Sequence, residues 1–130
     1  MIKKTFLILL ASASIGSIFT SCDNTVVVGE HEGSVVFWYS KTTAEYLVNR
    51  GVTTLKFYVD NEFAGSQAAS MYWNSAPECG QNASTTVTKD LGSSTSKSSE
   101  YVVKDQNENV LWQGLATFTD GVCQKILLKI

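Results

Sequence analysis

The sequence predicts an all-β domain, an antiparallel β-sandwich of about seven strands, placed behind a cleaved amino-terminal segment. Three observations carry that expectation. Apolar and polar residues alternate with period two in short runs, Gly, Asn, Asp and Ser separate those runs, and a single segment departs from them toward a helical pattern. The elements follow in chain order.

Residues 1–21 read as a targeting segment. Met1, Ile2, Lys3 and Lys4 form a short basic region, and Phe6 to Phe19 form an apolar stretch too short to cross a bilayer comfortably. Small residues, Thr20 and Ser21, then precede Cys22. A cysteine placed directly after small residues at the end of such a segment resembles the lipobox of bacterial lipoproteins. That resemblance implies that Cys22 receives a diacylglycerol, that the chain is cut before it, and that the new amino terminus is acylated. On the residues alone two alternatives stay open: a secretory signal cut near Ala13 or Ser21 with Cys22 left free, and an uncleaved helical anchor.

Residues 22–33 read as a lipidated tether, polar at both ends, and residues 34–130 as the sandwich domain. The lone histidine, His31, lies on the tether between Glu30 and Glu32. Neighbours on an extended chain point to opposite sides, so the triplet is a poor chelator and His31 is expected to be solvated.

"SVVFWYS", residues 34–40, places Val35, Phe37 and Tyr39 on one face and Val36 and Trp38 on the other, so it is expected in the middle of a sheet. Thr42 and Glu45 have capping-box spacing, and Gly51 suits the position after a helix end. One short helix is therefore expected over 43–50, too short to hold a groove by itself. "TTLKFYVD", residues 53–60, turns Leu55, Phe57 and Val59 inward and Thr54, Lys56 and Tyr58 outward. Asp60-Asn61 then forms a hairpin turn into "EFAGS".

Further strands are expected over 84–91, 100–105, 110–119 and 122–130. Trp112 belongs with the core, and Val122, Gln124, Ile126, Leu128 and Ile130 share one face of the last strand. "GSSTSKSS", residues 92–99, has no apolar content and reads as a flexible connection.

Three cysteines, less Cys22, leave Cys79 and Cys123. In an exported chain an even residual pair is most simply a disulfide, here at a rim or outer face. Neither has a nearby histidine or second cysteine pair, so no metal site and no cofactor are expected. Cutting 21 of 130 residues leaves 109, one compact domain, and losing Lys3 and Lys4 moves the net charge from −2 to −4. Without a basic patch, nucleic acid is excluded as a partner class.

Nothing in the pattern builds an active site. No imidazole falls inside the domain to serve a nucleophile, and the carboxylate pairs Asp60/Glu62 and Glu100/Asp105 flank turns and strand ends. Exposed aromatics are the better clue. Tyr58 falls on a polar face, while Tyr72 and Trp73 sit together in "SMYWNSAPECG", a loop pinned by its own disulfide. Rigid aromatics lose little entropy on contact, so these three form a candidate binding surface; Trp73 as a plug for the end of the sandwich is the competing reading.

The order of parts resembles a group of small bacterial lipoproteins with one β-sandwich domain. "LKFYVDNEFAGS", "APECG", "LWQGLATFTDGVC" and the terminal "ILLKI" carry the likeness: a V-[DN]-x-x-x-x-G hairpin, a P-x-C-G turn, a W-x-G strand and a late Cys. The hairpin is also similar to PEGA-type and other transthyretin-like sandwich modules. What the resemblance implies is an Ig-like or transthyretin-like sandwich on the envelope, the outer membrane rather than the inner. Two roles are expected to compete: a non-catalytic interaction module for an envelope protein or a glycan, and a passive structural or assembly accessory.

Overall fold

The computed structural model describes residues 31–130, so the expected signal segment, Cys22 and the expected tether up to residue 30 lie outside the described residues. Seven strands and one helix follow in order: β1 (His31–Trp38), α1 (Lys41–Asn49), β2 (Thr54–Val59), β3 (Glu62–Ala68), β4 (Thr85–Gly92), β5 (Ser96–Lys104), β6 (Val110–Thr119) and β7 (Cys123–Leu127). Two sheets form from them. One has the order β4-β1-β7 and the other β3-β2-β5-β6, packed as a β-sandwich.

Between the sheets, alternation delivers the core. Val35 and Phe37 of β1 meet Leu55, Phe57 and Val59 of β2, Val103 of β5, and Ala116 and Phe118 of β6, all buried. Phe37 lies 5.3 Å from Phe57 and 5.1 Å from Tyr101 between ring centroids, contacts that add to the transfer energy of the rings themselves.

Val36 points away from that core and is nonetheless fully buried. Its neighbours on the ladder are Thr86 and Lys125. The long β3–β4 connection crosses above both: the Gly80 N–H donates to Thr86 Oγ1 at 2.9 Å, and Glu78 pairs with Lys125 at 2.9 Å. One row further along, Cys79 is bonded to Cys123, with 5.8 Å between their Cα atoms. The connection thus roofs the outer face of the three-stranded sheet, and β1 is apolar on both sides for that reason.

The β2–β3 hairpin turns at Asp60 and Asn61, with φ values of 51° and 67°. Two successive positive values suit the right-handed twist of the flanking strands, and Asp and Asn tolerate them best among residues with side chains. Asp60 also reaches Lys89 of β4 at 2.9 Å, tying the hairpin to the other sheet.

Several expectations need correction. One ladder is parallel: β1 and β7 run the same way, from Ser34 beside Cys123 to Trp38 beside Leu127. The domain begins at His31 and not at residue 34, because β1 starts there and the turn at Asp120 and Gly121 holds it. His31 Nδ1 lies 3.0 Å from Asp120 Oδ2, and the Gly121 N–H donates to the Glu32 carbonyl at 2.9 Å. His31 is therefore a paired domain residue and not a solvated tether one.

Residues 96–99 are not flexible either, since they open β5 and pair with β6 from Ser96 beside Thr119 to Ser99 beside Ala116. Backbone pairing needs no apolar side chain, and Ser99 is small enough to sit buried. The helix starts earlier than its capping-box spacing suggests. Ser40 is the N-cap with no side-chain cap bond, because burying Thr43, Ala44 and Leu47 sets where the helix begins.

At the carboxy terminus Leu128 is buried, while Val122 and Ile130 are exposed. Strand β7 ends at Leu127, so the side-to-side alternation does not carry through to Ile130. Trp112 is half-buried at the core margin, its Nε1 donating to the Lys129 carbonyl at 2.8 Å. Asp105 is buried rather than solvated: it accepts from the Asn107 and Asn109 N–H groups at 2.8 and 2.9 Å, and these bonds hold its carboxyl below the ordinary carboxylate value.

Candidate binding site

Helix α1 leaves the end of β1 at Trp38, the end opposite His31. Its buried residues, Thr43, Ala44 and Leu47, face the sandwich, and the exposed Lys41, Glu45 and Val48 beside the edge of Ala44 form one wall of a groove. Ser70 and Tyr72 form the other wall, and the groove is open to solvent with a volume of about 370 Å³. The helix is too short to make such a feature alone, and the start of the β3–β4 connection completes it.

What fixes that second wall is Tyr39, 1% exposed. Its hydroxyl donates to the carbonyls of Ala68 and Ala69, both at 3.2 Å, and accepts from Gln67 Nε2 at 3.0 Å. Its own carbonyl accepts the Trp73 N–H at 3.0 Å. Thr85 Oγ1 hydrogen-bonds to Gln67 Oε1 and orients the amide. Tyr39 therefore holds the chain before Tyr72 through its hydroxyl and after it through its backbone carbonyl. Burial pushes the phenol pKa up, and the Gln67 bond offsets part of that rise.

The three aromatic candidates part company. Tyr72 is 42% exposed and lines the groove. Trp73 beside it is half-buried and is not among the lining residues; its Nε1 is buried without a hydrogen-bond partner among the described residues. Tyr58 lies on the outer face of the four-stranded sheet near the hairpin turn, about 13 Å along β2 from Thr54 at the helix end. There it meets Phe63 edge-on at 5.7 Å, with Lys104 Nζ 4.9 Å from its ring. Lys56 pairs with Glu108 beside it at 2.6 Å, which lowers the Glu108 pKa and raises that of Lys56. Tyr58 thus belongs to a second surface.

The groove carries both signs of charge in balance. Lys41 and Glu45, four residues apart, stand 3.8 Å from each other with side chains 64% and 63% exposed. Asn49 adds an amide at the same wall. Sequence reasoning missed Tyr39 as a positioning residue because period two marks it only as core, and its partners lie 28 to 30 residues away. The stripe at 41, 44, 45 and 48 was readable from helical spacing once the helix start was known. Among the described residues, no three His, Cys, Asp or Glu side chains are grouped to hold a metal ion, and no helix is long and apolar enough to cross a membrane.

Fold and site together define a disulfide-clamped, two-sheet sandwich that carries an open groove at one end. No protein-family model, curated protein or solved structure matches the chain.

Proposed function

We propose that this protein is exported, anchored through a lipid on Cys22 in the cell envelope, at the outer membrane, and that its sandwich is a non-catalytic interaction module. The carrying observation is the disposition of the domain's two ends. The chain enters at His31, and the groove lies beyond the other end of β1, about 23 Å away along the strand. A lipid on Cys22 would be joined to the domain through His31, at the end of β1 opposite the groove. Support for export comes from the Cys79–Cys123 bridge, since such pairs persist in oxidising compartments.

Affinity capture from detergent-solubilised envelopes tests this reading, with bound protein and bound glycan both analysed. A stoichiometric partner that wild type retains and Tyr72→Ala loses is the expected result. Recovery of nothing beyond a tag-only control contradicts it and leaves a passive accessory.

A further inference from the structure

We infer that the groove between α1 and the β3–β4 connection is a subsite for a neutral saccharide chain; this rests on the interaction-module reading and names its ligand. Charge comes first. Lys41 and Glu45 stand side by side on one wall, so an anionic ligand meets the Glu45 carboxylate and a cationic one meets the Lys41 ammonium. Their separation of 3.8 Å is longer than a good charge-assisted hydrogen bond, and both side chains are mostly exposed, so their polar atoms retain capacity for a ligand.

Hydrogen-bonding type narrows the class further. Lys41 only donates, Glu45 only accepts, and Asn49 and Ser70 do both, all within one groove. A ligand that satisfies this mixture presents closely spaced groups able to donate and accept in turn. Hydroxyls around a sugar ring do so. The remaining exposed lining, Tyr72 with Val48, suits the C–H face of such a ring, which is apolar. A lipid would leave the polar wall unpaired.

Preorganisation is the second argument. The buried Tyr39 hydroxyl holds Ala68, Ala69 and Gln67, and the Tyr39 carbonyl holds the Trp73 N–H, so the backbone is held on both sides of Tyr72. The opposite wall is fixed by burial of Thr43, Ala44 and Leu47. Little backbone ordering is therefore left to be lost on binding, which favours a weak, polar ligand.

Saturation-transfer NMR on the full mature protein in detergent tests the inference, with maltotriose, cellotriose and chitotriose as neutral probes and sialyllactose as an acidic one. Ring C–H signals from at least one neutral trisaccharide are expected, with Kd of about 1 mM. Affinity should fall at least tenfold in Tyr72→Ala, with circular dichroism confirming the fold. Tyr46→Ala, outside the groove lining and beneath Arg50, should leave affinity unchanged. The inference is overturned if no neutral probe binds at about 10 mM, if Tyr72→Ala binds as wild type does, or if sialyllactose binds as well as the neutral chains. Capture of a protein partner through Tyr72 with no saccharide binding would sink the inference and leave the interaction module standing.

Discussion

Replacing Tyr39 by Phe removes one oxygen from the interior and nothing else of size. The ring keeps its place among the core residues and its stacked contact with Trp112 at 6.4 Å. What is lost is the hydroxyl's bonding. The Ala68 carbonyl still accepts the Met71 N–H at 3.1 Å, so it retains a partner. Gln67 is only half-buried, so its amide can turn partly toward water. The Ala69 carbonyl, in a residue 0% exposed, loses the hydroxyl and is left unpaired.

An orphaned buried acceptor costs about 1 to 3 kcal/mol, so the expected loss centres near 2 kcal/mol. For a domain of this size that lowers Tm by roughly 8 to 16 °C. Urea unfolding followed by tryptophan fluorescence measures it. Hydrogen exchange should quicken more at the Ala69 and Met71 amides, on the segment the hydroxyl held, than at Trp73, whose acceptor is the retained backbone carbonyl of residue 39. An unchanged midpoint would refute the positioning role of Tyr39. A loss above about 4 kcal/mol would show that the ring had moved and that cavity costs dominate.

Three further outcomes follow from the same structure. Cys79→Ala/Cys123→Ala frees a loop spanned by a sequence separation of 44 residues, and should keep the β-type circular dichroism while losing about 2 to 4 kcal/mol in denaturant unfolding; a loss below that range means that the roof holds without its clamp. Gly33→Ala would set a Cβ 2.6 Å from the Thr119 backbone nitrogen, so the sheets must separate, and a loss of about 1 to 3 kcal/mol is expected, with wild-type stability as the contrary result. Because burial raises the Tyr39 pKa, the folded state favours the protonated phenol. That contribution is intact below the unfolded tyrosine value near pH 10 and fades as pH climbs through the raised folded value. The stability gap between wild type and Tyr39→Phe should therefore narrow above about pH 10, and a gap constant with pH would contradict the assignment.

Much of the sandwich was readable because alternation and turn chemistry are local. Leu55, Phe57 and Val59 turn inward as their spacing demands, and Asp60-Asn61 makes the expected turn. Cysteine parity located the clamp. The failures share a cause, since each depends on contacts between residues far apart in the chain. Ser96 to Ser99 look like a linker until β6 supplies a backbone partner. His31 looks solvated until Asp120 arrives from 89 residues away. The groove needed a wall from the β3–β4 connection, held by the hydroxyl of a tyrosine whose sequence neighbourhood says only that it is buried.

Central to the account is the proposed anchor at Cys22, and intact-mass spectrometry of the unreduced protein from the membrane fraction tests it most directly. The predicted mass is that of the chain from Cys22 to Ile130 carrying a diacylglyceryl group and an amide-linked fatty acyl chain, lighter by the pair of hydrogens that joining Cys79 to Cys123 removes. Cys22→Ala should abolish that species. A wild-type mass that starts at any other residue, or that includes Cys22 without lipid, would contradict the account.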